Sequence, residues 1–128
     1  MAEVWKDISN YEGIYQVSNL GRIKSLSREV IKAYGATHKL SERIKKINSD
    51  NYGYQVVRLH NGKGKTFKVH KLVANAFLGT PDGLEVNHID GDKSNNRVSN
   101  LEYCTRGENI KHAWDNGLRH FVKPYKNK

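Results

Sequence analysis

Cysteine is nearly absent from this sequence, and so are long apolar runs. Cys104 is the only cysteine among 128 residues, which excludes an internal disulfide and any zinc site built from several cysteines. No stretch approaches the roughly 20 apolar residues that a membrane span needs. The N-terminus is acidic and polar and lacks a basic start followed by an apolar run, so we expect no secretory signal. Together these absences favour a reduced, cytoplasmic setting and no membrane partner.

Basic charge is abundant and unevenly distributed. The chain has 22 Lys and Arg against 13 Asp and Glu, a formal net charge of +9. Residues 22–71 contain thirteen basic and three acidic residues, an excess of +10, whereas the first twenty-one residues carry −2 and those after 71 carry 8 − 7 = +1. A basic half beside a nearly neutral half is typical of a polyanion binder, so we expect a nucleic-acid partner. For any single lysine, a solubilising surface role is the simpler interpretation.

The first third of the chain is predicted to be β-structure. The length suits one ordinary domain, or two very small modules that share a core. Residues 14–17 and 22–26 alternate apolar and polar side chains around a turn-forming segment at 18–21, which predicts a hairpin. Residues 33–41 are predicted to form a loop. Residues 42–47 fit either a short strand or a helical turn.

A second hairpin and a short helix are predicted next. Residues 54–59 and 66–69 are rich in β-branched and aromatic side chains, and the glycine-rich, basic segment 61–65 joins them. A two-stranded ribbon of this kind fits the DNA major groove, or one of its faces packs on a core. Residues 70–78 place apolar side chains on one helical face, and residues 79–83 end the helix.

The last part of the chain is predicted to follow the order strand, polar loop, strand, helix. The strands are expected at 84–89 and 101–105, and the loop between them is dense in turn-forming residues. A helix is predicted from about 108 to 114, and the Asn-Gly pair at 116–117 is expected to end it.

Two groups of motifs resemble known families. The sequence VNHIDGDKSNN at 86–96, followed by NLEYCT at 100–105 and ENIKH at 108–112, resembles the HNH endonucleases. The match is to their homing-endonuclease branch, in which the last histidine of the name is replaced by asparagine. Near the N-terminus, WKDI at 5–8 and the motifs up to GRIKS at 21–25 look like the NUMOD-type DNA-binding motif that is often joined to such nucleases.

The resemblance implies an α+β fold class, with N-terminal antiparallel β hairpins or a sheet followed by a ββα-metal HNH module. We therefore divide the chain into a β-rich DNA-binding module at 1–69, a nuclease module at 70–119 and a basic tail at 120–128. The implied function is a metal-dependent DNA endonuclease, of the mobile kind found in phages. It is expected to nick DNA and to leave 3′-hydroxyl and 5′-phosphate ends.

His88 is the candidate general base. Hydrolysis of a phosphodiester requires a base for water and a Lewis acid for the developing charge. An imidazole at a strand end beside a polar loop suits the first role near neutral pH, although a lone histidine in a strand is more often structural. Asn100 holds the middle position of the family motif, which implies that it ties the loop across the hairpin and helps to orient the base.

Asn87 and Asn109 are the predicted metal ligands, through their side-chain oxygens. Two neutral oxygens leave much of a hard cation's shell to water and DNA phosphate, which suits Mg²⁺, with Mn²⁺ as a substitute. The family frequently has aspartate where this chain has Asn87, so the resemblance implies weaker affinity for the metal alone. No small-molecule cofactor is expected.

Two further histidines are candidate auxiliary residues. His112 follows Asn109 by three residues on the same helix face, where it could reach the metal or the scissile phosphate. It could equally be a surface histidine near a helix C-terminus, which favours positive charge. His70 opens the helix that precedes the nuclease module, and a capping or packing role is the simpler interpretation.

The basic segment supplies the candidate DNA contacts, which are Arg22, Lys24, Arg28, Arg58, Lys63, Lys65 and Lys68. Such side chains on extended elements bind phosphates or read guanine edges, and the sequence alone does not apportion the two roles. Trp5, Tyr11 and Tyr15 are interpreted as core residues of the N-terminal module, because they are interleaved with acidic residues.

Two other functions compete with the leading one. A DNA-binding protein that retains the fold without cleaving is the first, but the complete set of site residues argues against it. An RNA-directed nuclease is the second. Under the leading hypothesis the partner is double-stranded DNA in a bacterial or phage-infected host cell, and the chain acts as a monomer or weak dimer.

Overall fold

The computed structural model describes residues 2–115, and these residues form an α+β fold of short antiparallel sheets and two helices. The fold class is therefore as predicted. Neither helix within this range is long and apolar enough to cross a membrane. In chain order the elements are β1 (Trp5–Asp7), β2 (Tyr15–Ser18), β3 (Ile23–Ser25), β4 (Arg28–Ile31), β5 (Thr37–Leu40), β6 (Arg43–Ile44), β7 (Asn48–Ser49), β8 (Gln55–His60), β9 (Gly64–Lys68), α1 (Val69–Leu78), β10 (Glu85–His88), β11 (Leu101–Cys104) and α2 (Arg106–Asp115).

The first hairpin forms where the alternating pattern predicts it. Strands β2 and β3 pair antiparallel, and β1 and β6 extend them into a four-stranded sheet. Val17 and Ile23 face each other in the register and are both fully buried. The turn between the strands ends at Gly21, whose φ of 88° favours glycine. Residues 42–47, predicted to form either a short strand or a helical turn, contain strand β6.

The predicted loop at 33–41 is wrong, because Thr37–Leu40 forms strand β5. It pairs antiparallel with β4, and Gly35 at φ 88° lies in the connecting turn. This two-stranded ribbon contributes no residue to the hydrophobic core: Ile31 is 78% exposed, and Val30 and Leu40 are only half-buried. A strand without a buried face carries no apolar alternation, so the sequence offers no periodic signal for it.

Strands β7, β8 and β9 form a three-stranded antiparallel sheet that leads directly into α1. The second hairpin was predicted correctly, although its turn is shorter than expected. Val57 and Leu59 of β8 point into the core, and the apolar face of α1 covers them with Val69, Leu72 and Val73.

The C-terminal part is a two-stranded hairpin followed by a helix, as predicted. Strands β10 and β11 pair antiparallel from Glu85↔Cys104 to His88↔Leu101. The helix α2 begins after Thr105, whose hydroxyl accepts a hydrogen bond from the Glu108 amide at 3.1 Å. The Glu108 carboxylate accepts one from the Thr105 amide at 2.8 Å, so the two residues form a capping box. The expected helix end at 116–117 and the tail at 120–128 lie outside the described residues.

One hydrophobic core joins both halves of the chain. Its buried members include Tyr15 and Ile23 from the first sheet, Leu59 from β8, Val73 from α1 and Leu101 from β11. The helix α1 thus lies between the N-terminal sheets and the C-terminal hairpin. The division at residue 69 stays a prediction about modules, since the packing is continuous across it.

Candidate active site

The hairpin β10–β11 presents two chemically different faces. Asn87 and His88 are neighbours on β10, so their side chains point to opposite faces. Asn87 lies opposite Glu102 in the register and shares its face with Glu85. His88 lies opposite Leu101, which belongs to the hydrophobic core. The predicted base and the predicted metal ligand are therefore adjacent in sequence but held by different surroundings.

His88 is packed among aromatic rings and is only 6% exposed. Its ring centroid lies 4.9 Å from that of His70 and 6.2 Å from that of Tyr54. Its Nε2 lies 2.7 Å from the side-chain oxygen of Asn96. This packing restricts the ring to one orientation at the end of β10.

His70 packs against the site rather than capping its helix. Its ring stacks on Tyr54 at a centroid distance of 5.1 Å, and the residue is 4% exposed. Burial, followed by the proximity of His88 and of Lys71, lowers the pKa of His70 to about 3. His70 is therefore neutral near physiological pH and contributes an uncharged ring to the stack.

Asn96 is a site residue that sequence reasoning missed. Its side-chain oxygen faces His88, and its amide group donates a 2.8 Å hydrogen bond to the side-chain oxygen of Gln55 on β8. Asn96 is 3% exposed. A β-carbon added at Gly21 would lie 3.0 Å from that of Asn96, so glycine at this turn makes room for the loop.

The predicted metal ligands are each bonded to a glutamate, which sequence reasoning also missed. Asn87 donates from its amide nitrogen to Glu102 at 2.8 Å, and Asn109 of α2 donates in the same way to Glu85 at 3.0 Å. A carboxylate only accepts, so each asparagine must present its nitrogen to its glutamate. Each amide oxygen is thereby directed away from that glutamate.

The donor set of this face suits a hard divalent cation. Amide and carboxylate oxygens are the ligands that Mg²⁺ and Mn²⁺ prefer, and Asn87, Asn109, Glu85 and Glu102 supply only oxygens toward a cation. Within residues 2–115, no cluster of three or more His, Cys, Asp and Glu side chains could hold a metal by itself. Glu102 could have been found from the sequence by pairing the two predicted strands of this hairpin antiparallel. The register that results places Glu102 opposite Asn87.

Asn100 ties the polar loop to the hairpin. Its amide nitrogen donates to the Asp90 carboxylate at 2.8 Å and to the Asn95 carbonyl at 2.9 Å. Its side-chain oxygen accepts from the Asp90 backbone amide at 3.0 Å, and its carbonyl accepts from the Ile89 amide at 2.8 Å. These contacts are those of a residue that fixes the loop, whereas the loop side chain within hydrogen-bond distance of the His88 ring is that of Asn96.

His112 lies on α2 and contacts the end of β10. Its Nε2 is 2.9 Å from the Ile89 carbonyl oxygen, and because a carbonyl only accepts, Nε2 carries a proton there. The contact connects the helix that carries Asn109 to the residue that follows His88.

The candidate DNA contacts on and beside the first sheet are engaged within the protein. Arg22 donates from Nε to Glu3 at 2.9 Å, and this bond lowers the pKa of the Glu3 carboxyl to about 2. Lys24 lies 4.2 Å from the Trp5 ring centroid. Arg28 donates from one nitrogen to the Ser25 hydroxyl of β3 and to two backbone carbonyls beside the first sheet, at 2.9 to 3.2 Å.

The other candidates lie on or beside the hairpin β8–β9. Arg58 and Lys63 are exposed, and so is Lys65. The Arg58 guanidinium lies across Gly64, where an added β-carbon would come within 2.6 Å of it. Lys68 forms a 2.9 Å ion pair with Asp50, which lowers the pKa of that carboxyl to about 2.

Comparison with family models divides the chain into two matched segments. Residues 3–60 match the NUMOD4 motif, and residues 67–111 match the HNH endonuclease family. The second segment contains all four predicted catalytic and metal-binding residues.

Relatives match nearly the whole chain. The DNA endonuclease I-HmuI of Bacillus phage SP01 is 41% identical over 120 residues, covering 93% of this chain and 62% of that protein. The uncharacterized HNH endonuclease L247 of Acanthamoeba polyphaga mimivirus is 34% identical over 122 residues, covering 91% of this chain and 27% of that protein. A solved structure, described as DNA binding and cleavage by the HNH homing endonuclease I-HmuI, matches with a TM-score of 0.72 and 39% identity over 94% of this chain and 63% of that one. The chain thus spans less than two thirds of the length of these relatives, and the resemblance noted from the sequence is confirmed.

Proposed function

We propose, because this chain is homologous to the HNH homing endonucleases, that it is an endonuclease that hydrolyses phosphodiester bonds of double-stranded DNA. The observation that carries the proposal is the arrangement at the end of β10. A fixed imidazole, His88, directly follows Asn87, whose amide oxygen is directed away from its glutamate. In this proposal the scissile phosphodiester lies across the end of β10, where both side chains can reach it although they leave the strand on opposite faces.

His88 acts as the general base in this proposal. Its Nε2 is occupied by Asn96, so Nδ1 is the nitrogen that can accept a proton from the attacking water. The water oxygen then forms a bond to phosphorus, and the bond from phosphorus to the 3′ oxygen breaks with its electron pair on that oxygen. Solvent protonates the leaving oxygen, which gives 3′-hydroxyl and 5′-phosphate ends.

Asn87 and Asn109 would hold the divalent cation through their amide oxygens. When bound, Mg²⁺, or Mn²⁺ in its place, would supply Lewis-acid stabilisation of the charge on the leaving oxygen. The hydrogen bonds to Glu102 and Glu85 would keep the nitrogens of these amides occupied, so that their oxygens could serve as the ligands. His112 holds the helix of Asn109 against the strand end, which is a positioning role rather than a ligand role.

Lysine side chains near the histidine stack would attract the DNA backbone. Lys68 and Lys93 each place their ammonium nitrogen 4.6 Å from the Tyr54 ring centroid, and Tyr54 stacks on His70 beside His88. Asp50 compensates part of this charge by pairing with Lys68, so Lys93 is the stronger candidate for a phosphate contact. One such centre within residues 2–115 favours nicking of a single strand.

Cleavage of supercoiled plasmid DNA tests the proposal. With Mg²⁺, wild-type protein should convert the plasmid to its nicked form, and His88→Ala should lower the rate about 10²- to 10⁴-fold. Binding of the same DNA, measured by mobility shift, should be unaffected. If the wild-type protein binds DNA but cleaves it with none of the divalent cations tested, it is a DNA-binding protein that retains the fold. If it cleaves RNA but not DNA, its substrate is RNA.

A further inference from the structure

The contacts of His88 connect it to a strand of the N-terminal half. Asn96 lies in the loop between β10 and β11, and its two amide atoms contact His88 and Gln55. Gln55 is 41 positions away from Asn96 and lies within the segment that matches the NUMOD4 motif. The side chains therefore form a continuous line, Gln55 to Asn96 to His88, from one matched segment to the other.

We propose that Gln55 and Asn96 fix the ring tautomer of His88, with the proton on Nε2, and thereby make Nδ1 the catalytic base. The inference rests on the proposed function and deepens it. Asn96 is a positioning residue, since it touches the base and not the substrate. Gln55 positions Asn96 in turn.

The chemistry of the two amides supports this assignment. When Asn96 donates its amide hydrogen to the Gln55 oxygen, its own oxygen faces Nε2 and can only accept a hydrogen bond. A neutral imidazole has one proton, so a proton on Nε2 leaves Nδ1 with a lone pair. If both amides were rotated by 180°, Asn96 would donate to Nε2, the proton would move to Nδ1, and no ring nitrogen could accept a proton from water.

Burial prevents water from replacing the hydrogen bond between Asn96 and His88. Asn96 is 3% exposed and His88 6%, so solvent does not supply an alternative partner for Nε2. The loop backbone at Asn96 is also held close to Gly21, which limits how far the side chain can withdraw. A buried donor that lost its acceptor would favour the other tautomer, because an unsatisfied N–H is costly.

Nitrogen-15 NMR of the histidine rings tests the tautomer without relying on activity. At a pH where the ring is neutral, His88 should carry its proton on Nε2 in the wild-type protein, with its signals assigned from their absence in His88→Ala. Asn96→Asp should retain this tautomer, because a carboxylate accepts from Nε2, whereas Asn96→Leu should shift the population toward Nδ1. A wild-type ring protonated on Nδ1, or an unchanged ring in Asn96→Leu, would overturn the inference.

Cleavage kinetics test the contribution of Gln55. Gln55→Met removes the acceptor with little change in size and should lower kcat about 10- to 100-fold, with KM little changed. Gln55→Glu can only accept, so it should keep Asn96 in the proposed orientation and recover most of the loss. Gln16→Met is the matched control, since Gln16 donates to Asp7 on the first sheet, away from His88.

The outcomes separate the two proposals. Equal rates for Gln55→Met and Gln16→Met would overturn the role of Gln55, as would a Gln55→Glu variant no better than Gln55→Met. Thermal unfolding of each variant shows whether a loss of rate reflects a loss of folding. A wild-type protein that cleaves no DNA refutes the proposed function, while the NMR result still decides whether Asn96 fixes the ring.

Discussion

Glu85 and Glu102 determine which atom of each asparagine amide can face a cation. Replacing Glu102 with glutamine would provide a side chain that donates as well as accepts, so the Asn87 amide could turn and present its nitrogen, which does not bind metal. We expect Glu102→Gln to weaken the apparent affinity for Mn²⁺ about 10- to 100-fold, measured by electron paramagnetic resonance titration and by the Mn²⁺ dependence of cleavage.

A matched variant separates this effect from simple loss of charge. Glu12→Gln removes a carboxylate from an exposed turn of the first sheet region and should leave the Mn²⁺ titration unchanged. If Glu102→Gln and Glu12→Gln gave the same curve, orientation of Asn87 by Glu102 would be ruled out.

At the same scale, the sequence carries a signal for the candidate site residues but none for most of their hydrogen-bond partners. Asn87, His88, Asn100 and Asn109 lie in one short segment, and their types and spacing carry the family resemblance. The partner of Asn96 comes from β8, and no local pattern indicates which distant side chain will meet a buried loop residue. Such a contact depends on how the sheets pack on α1, which lies beyond what periodicity encodes.

Among the elements, the hairpin β8–β9 is the best candidate for contacting the bases or the phosphates of DNA. On one of its faces Val57 and Leu59 are buried in the core, whereas on the other face Arg58 is exposed beside the turn. Arg28 is a weaker candidate for a DNA contact than Arg58, because its guanidinium already donates hydrogen bonds to three acceptors within the protein. Hairpins with a buried face were predictable from alternation, and the ribbon β4–β5, which has no buried residue, was not.

Arg58→Ala tests this element. Loss of a phosphate contact should weaken DNA binding and reduce the slope of log K against log salt by about 1, whereas loss of a base contact should relax preference at one position of the site. Fluorescence anisotropy at several salt concentrations measures both. Lys6→Ala, which removes an exposed cation outside the basic segment, is the control, and an identical salt slope for the two variants would exclude Arg58 as a DNA contact.

For the whole molecule, the buried histidine stack links stability to pH. The pKa of His70 is about 3 in the folded protein, against an ordinary value of 6.5, because burial disfavours the charged ring. As the pH falls below about 6.5, His70 binds a proton in the unfolded chain, whereas in the folded chain it stays neutral until the pH is about 3. The free energy of unfolding therefore decreases as the pH falls across this window. Above it, the stability that the neutral ring contributes is fully present.

His70→Phe should remove this dependence while retaining a ring against Tyr54. The free energy of unfolding, measured by denaturant titration at several pH values, should fall less steeply between pH 6.5 and pH 3 in the variant than in the wild type. His38→Phe changes an exposed histidine of β5 and should leave the wild-type slope intact. Parallel slopes for wild type and His70→Phe would show that the charge of His70 does not set the acid limit.

The contact between Gln55 and Asn96 also bears on how such a chain could be recombined. A front half taken from a relative would supply new residues at positions 21 and 55, both of which meet Asn96. A graft that brought a bulkier residue to the first position, or a side chain without an acceptor to the second, would leave the segment that matches the HNH endonuclease family unchanged but would remove contacts that hold Asn96 against His88. Replacement of the segment that matches the NUMOD4 motif is therefore constrained by contacts with a residue that lies far along the sequence from it.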